Sequence, residues 1–147
     1  MKAYAEWSPD DLWQHEQVNF SAHIAIMFHY LHDHGLDPGD FTRYCGEQVL
    51  PSWKRRGDAV ADMMNGILRN VLANGGLVVA ATIGEQRAEA TVTSLLRLDV
   101  MERYGISVDQ ASRFWNKFIP IAEAFGIRFT WERTAAGQDQ IRLEKLG

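Results

Sequence analysis

One cysteine in 147 residues, Cys45, rules out an internal disulfide brace. A lone thiol suits a reducing compartment, so a cytoplasmic location is expected. No apolar run exceeds Leu77 to Ile83, far short of the roughly 20 residues needed to cross a bilayer. Met1 to Trp7 is mixed rather than a basic start followed by an apolar stretch, and no signal peptide is read there. A membrane partner is therefore not expected. Beyond the short Lys54-Arg55-Arg56 cluster, the basic residues are scattered and the net charge is -4. That leaves no positive stripe for a phosphate backbone, and a nucleic-acid partner is not expected. HExxH, CxxC, GxSxG and glycine-rich phosphate-loop patterns are all missing, so no cofactor and no metal site are assigned.

What is present is an ordinary globular balance of 46% hydrophobic and 23% charged residues, enough for one domain over residues 1–147 with a single core. Ser8-Pro9-Asp10-Asp11 is a helix start. Trp13, Phe20, Ile24, Met27, Phe28 and Leu31 follow at three- and four-residue spacings up to Gly35. Asp37-Pro38 opens a shorter helix to about Cys45, with Gly46 and Leu50-Pro51-Ser52-Trp53 read as a corner. A third helix is expected from Asp58 to about Ala73, ended by Asn74-Gly75-Gly76.

Leu77 to Ile83 and Arg87 to Thr93, rich in Val, Thr and Ala, read as a hairpin around Gly84-Glu85-Gln86. A helical piece at Leu95 to Tyr104 precedes a helix opened by Ser107 and carried by Ala111, Phe114, Phe118, Ile121 and Phe125. Pro120 is expected to kink that helix by crowding the carbonyl of Asn116. Ile127, Phe129 and Trp131 then alternate with Arg128, Thr130 and Glu132. A turn at Ala135-Ala136-Gly137 leads to a returning strand through Ile141 and Leu143. No fixed-period repeat appears. The expected fold is α+β, an antiparallel sheet of two hairpins covered by four to five helices.

Five histidines lie between His15 and His34. On one straight helix His15 and His29 stand about 21 Å apart, so they cannot share an ion. Only His29 with His32 or Asp33 has chelating spacing, and solvated helix-face histidines are the favoured reading. His23 borders the apolar stripe, where a structural role and pocket lining compete. Cys45, near an expected helix C-terminus, is read as an inert buried thiol. Five tryptophans are many for this length. Trp115 on a helix opposite Phe129 and Trp131 on a strand could wall a small-molecule cavity, with Trp53 and His23 as further lining, although core packing competes for each. Adjacent strand residues face opposite ways, so either Glu132 or Arg133 points inward and needs a partner.

The run Ile127-Arg128-Phe129-Thr130-Trp131-Glu132-Arg133-Thr134, with Gly137 and the strand Gln140-Ile141-Arg142-Leu143, resembles the end of the L-2-amino-thiazoline-4-carboxylic acid hydrolase-like family. The resemblance covers about twenty residues and implies a small α+β domain whose closing strand carries a cysteine. This chain has no cysteine there, which removes the residue on which thiol chemistry would rest. The layout of helices followed by a hairpin also resembles four-vinyl-reductase-type small-molecule sensor domains. Fold analogy alone assigns no function.

Three readings follow. The first is a hydrolase or lyase acting on a compact organic substrate, with Glu132 as general acid or base, Arg133 holding a substrate carboxylate, and Trp115 and Trp131 as walls. The second is a non-catalytic small-molecule sensor using the same pocket. The third is an oligomeric structural protein, a possible homo-oligomer whose aromatic stripes are subunit contacts.

Overall fold

The computed structural model describes residues 6–54 and 59–147. Arg55, Arg56 and Asp58, assigned above to a basic cluster and a helix start, lie outside the described residues. Ser8 accepts from the Asp11 backbone N–H while the Asp11 carboxylate accepts from the Ser8 backbone, a reciprocal cap that starts α1 (Pro9–Asp33). Only the part of α1 from Gln17 to Phe28 turns buried side chains to the core; the first two turns are exposed. Trp13 is tied instead through its indole N–H to the carbonyl of Ala73, at 3.0 Å.

Asp37 caps α2 (Pro38–Trp53), which runs straight through Gly46 and Pro51 and so replaces the expected corner. Gly46 sits where α2 meets the chain around Lys117, and a Cβ there would collide with the Lys117 carbonyl oxygen and with Pro120 Cγ, at 2.7 Å. Packing thus overrides the helix cost of about 1 kcal/mol that glycine carries. α3 (Val60–Ala73) buries Val60, Met63, Met64, Ile67 and Val71. Its Gly66 admits the Trp53 ring from α2.

β1 (Val78–Ile83) and β2 (Arg87–Val92) form the first hairpin, and β3 (Ile127–Arg133) and β4 (Asp139–Lys145) the second. All pairs are antiparallel, in the order β1-β2-β4-β3. This is the α+β architecture the sequence implied. Ala88, Ala90, Val92, Ile127, Phe129, Ile141 and Leu143 form the buried face of the sheet. Arg87, Glu89, Arg128, Thr130, Glu132, Arg142 and Glu144 alternate with them on the outer face. Between the hairpins, α4 (Leu98–Arg103) and α5 (Val108–Ser112) lead into a 3₁₀ turn (Arg113–Lys117) and α6 (Phe118–Ala124). The expected single helix with a kink at Pro120 is therefore two helices joined by a tighter turn. Pro120 lies in the first turn of α6, where its missing N–H has no partner to lose, and the break falls just before it.

No described helix is long and apolar enough to cross a membrane.

Candidate functional site

The expected site residues fall into three different environments. Trp115 is fully buried, with its ring centroid 5.9 Å from Phe118 and 6.3 Å from Phe129. Phe129 and Trp53 are likewise core, Trp53 meeting Phe118 edge-on at 5.9 Å. His23 is on an exposed helix face and donates through Nδ1 to the Asn19 carbonyl at 2.7 Å. Glu132 is exposed on the outer face of the sheet and pairs with Arg142 at 3.0 Å. It is thus on the opposite side of β3 from Phe129 and Trp131, and the structure does not bring this carboxylate to the aromatic residues.

Trp131 is half-buried at the core margin, and its indole N–H donates to Asn116 Oδ1 at 2.8 Å. Trp131→Ala is expected to cost about 2 kcal/mol, below the ~3–5 kcal/mol of a fully buried tryptophan. Denaturant unfolding measures this directly, and a loss equal to that of Trp115→Ala would place Trp131 in the sealed core.

Arg133 is the member of its pair that turns inward. Its Nη1 donates to Asp139 Oδ1 at 3.2 Å and to the Ser112 hydroxyl at 3.1 Å, and its Nη2 to the Gly137 carbonyl at 2.8 Å. Asp139, fully buried, also accepts the Trp115 indole N–H at 2.9 Å. Burial pushes the Asp139 carboxyl above its ordinary value, outweighing the downward pull of Trp115, Arg133 and Ser112. This network clamps the closing hairpin to α5. It also commits the Arg133 donors to groups within the protein, which weighs against their holding a substrate carboxylate.

A cleft of about 320 Å³ opens elsewhere, among α1, the start of α2 and the segment from Gly105 to Arg113. Its floor is Phe28 and Ile106, both buried. Around them stand His29, His32, Asp37, Gln110 and Arg113. The α1 spacing brings His29 and His32 onto one face. His29 Nε2 hydrogen-bonds the Tyr104 carbonyl. A carbonyl can only accept, so Nε2 carries the proton and Nδ1 is the acceptor of the neutral ring. Gln110 closes a second reciprocal cap: its Oε1 accepts from the Ser107 backbone at 3.0 Å, which leaves its amide NH₂ as a donor. Asp37 accepts from the Gly39 N–H at 2.9 Å, so its charge sits at the positive end of α2.

The sequence reading singled out His29 and His32 only as possible chelators. It missed Arg113, Gln110 and Asp37, whose meeting depends on how three segments pack. Among the described residues, no three His, Cys, Asp or Glu side chains come together as a metal site. Cys45 is part-buried, and burial raises its thiol above the ordinary value despite nearby Lys117. Burial also lowers the Lys117 ammonium, which lies 5.2 Å from the ring centroids of both Phe114 and Phe118.

Comparison with protein-family models, with curated proteins and with solved structures finds no match to this chain.

Proposed function

We propose that this domain binds a compact organic molecule bearing an acidic group, held in the cleft of α1, α2 and α5. The observation that carries this reading is the cleft's composition. An apolar floor of Phe28 and Ile106 is bordered by Arg113, Gln110 and His32, donor-bearing side chains from two separate segments, with His29 beside them. Its volume sits at the lower end of the range for small-molecule sites. Arg113 supplies a planar fork for a carboxylate or phosphate, and Gln110 adds an oriented donor. Asp37 supplies an acceptor for a hydroxyl or amine on the same ligand.

Titration of the ¹⁵N-labelled protein with a panel of compact carboxylates and phosphomonoesters tests this reading. Binding is expected to shift the resonances of residues lining the cleft. Arg113→Ala is expected to weaken it about tenfold or more, equivalent to roughly 1.4 kcal/mol. Both Arg113 and His32 are exposed, so Arg113→Ala and His32→Ala should each leave stability within about 0.5 kcal/mol of the parent. Shifts confined to Trp131 and its neighbours, with Arg113→Ala binding normally, would relocate the site.

A second reading, a hydrolase or lyase, is favoured by one observation. A histidine held by a backbone carbonyl, with its other ring nitrogen a proton acceptor, is the arrangement of a positioned general base, and His29 has it. Product formation abolished in His29→Gln, with ligand affinity retained, would select the enzyme. Binding without conversion would select the sensor.

A further inference from the structure

The cleft carries both signs of charge and leaves both unpaired. Arg43, Arg87, Arg97, Arg128, Arg133 and Arg142 each hold a carboxylate of this chain. Arg113 does not. Among the described residues its guanidinium has neither a carboxylate nor a hydrogen-bond acceptor, although Asp37 lines the same cleft. Asp37 Oδ1 accepts from the Gly39 N–H, which holds the carboxylate at the start of α2, and no described cation pairs with it. Both side chains are exposed. Exposed charges lose little by standing alone, so each remains available to a ligand that brings the opposite charge.

The uncharged groups divide in the same way. Gln110 stands one helical turn before Arg113, and its Oε1 is taken by the Ser107 N–H at 3.0 Å and the Ser107 hydroxyl at 3.1 Å. Its NH₂ is left, so this segment offers donors alone. The other two segments offer acceptors. The Thr42 hydroxyl spends its proton on the Pro38 carbonyl at 2.8 Å and keeps its lone pairs. His29, whose Nε2 proton goes to the Tyr104 carbonyl, keeps Nδ1 as an acceptor. His32 can serve either way.

A simple carboxylate would satisfy Arg113 and Gln110 but add a second anion to the cleft that holds Asp37. A simple amine would do the reverse. A zwitterion neutralises both charges at once, and complementarity of this kind decides which partner is accepted. We infer that the ligand of this cleft is a compact amino acid. Its carboxylate is held by Arg113 and Gln110, its ammonium by Asp37, and its apolar body lies on Phe28 and Ile106. The inference rests on the acid-binding reading above and adds the amine to it.

Leucine, 4-methylpentanoate, which lacks the amine, and 3-methylbutylamine, which lacks the acid, share one apolar body and serve as probes. 6-Aminohexanoate and hexanoate repeat the comparison with the two charges further apart. Titrated into the ¹⁵N-labelled protein with the resonances of Gly39, Thr42 and Ile106 as readout, leucine or 6-aminohexanoate is expected to bind about tenfold or more tighter than its amine-free acid. Leucine should exceed 3-methylbutylamine by as much if it is the zwitterion that fits. Asn caps a helix as well as Asp does, so Asp37→Asn keeps an acceptor for the Gly39 N–H while removing the charge. It should weaken the zwitterion about tenfold and leave the amine-free acid at its parent affinity or better.

A zwitterion no tighter than its amine-free acid in the parent protein overturns the inference and leaves the acid-binding reading standing. So does an Asp37→Asn protein, folded by circular dichroism, that keeps the parent's preference for the zwitterion. The parent comparison needs no variant and decides the question by itself if Asp37→Asn fails to fold. Cleft resonances unmoved by any of these probes also overturn the inference, and the phosphomonoesters of the wider panel then decide the acid-binding reading separately.

Discussion

Asp139→Ala is expected to lower stability by about 3–5 kcal/mol, because it strands a guanidinium that is only 23% exposed and an indole N–H at a fully buried tryptophan. Such a loss is a large fraction of the ~5–15 kcal/mol that holds a domain of this kind. Asp139→Asn keeps the volume and one acceptor but sets an NH₂ against donors, and should cost roughly 1–3 kcal/mol. The two variants together separate the worth of the charge from that of the hydrogen bonds.

The same carboxyl carries a pH signature. Its raised folded-state value means that the native state retains this proton to higher pH than the unfolded chain does. The contribution is therefore fully present below the ordinary carboxylate value of about 4 and fades as pH rises through the higher folded value. Urea unfolding across acid to neutral pH, expressed as wild type minus Asp139→Asn, should show the difference shrinking as pH rises. A difference that grows with pH would mean that Arg133 and Trp115 outweigh burial.

Gly46→Ala is expected to have a comparably large effect, for a steric reason. The added Cβ falls inside the Lys117 carbonyl oxygen, and a backbone atom cannot rotate away as the end of a side chain can. The cost should reach about 3 kcal/mol, the upper part of the range for overpacking. Helix α2 must move outward, and it carries Asp37, Pro38, Gly39 and Thr42 of the cleft. Ligand binding should therefore weaken even in the fraction that remains folded, although Gly46 does not line the cleft. Thermal unfolding and titration of the same variant check both parts; normal affinity in a destabilised protein would show that the cleft does not depend on α2 position.

Elements whose signals are local could be read from the sequence. The reciprocal caps at Ser8 and Ser107, the hairpin at Gly84 to Gln86, and the alternation from Ile127 to Trp131 all depend on neighbours within a few residues. The inward turn of one member of Glu132-Arg133 was legible on the same grounds. Its partner could have been found too, because a turn centred on Ala136 sets Arg133 opposite Asp139. Gly46 and Pro51 misled the reading, since both residues signal an end to helices in isolation. Here Gly46 is required by the crossing of α2 with the 3₁₀ turn, and Pro51 stands in the last turn. The cleft was not legible. Its residues span Phe28 to Arg113 in the chain, and only the packing of three helical segments brings them together.

The order β1-β2-β4-β3 also bears on how the chain reaches this state. Each hairpin joins strands separated by a few residues, so its closure costs little entropy and can proceed early. The middle seam differs, for Val92 must find Asp139 across the whole stretch that carries α4, α5 and α6. That ladder, running from Arg87 with Glu144 to Val92 with Asp139, is the long-range step on which topology makes folding slow. Ala88 and Ala90 lie on it with Leu143 and Ile141 opposite, so the slowest contact to form is also the one that seals the centre of the sheet.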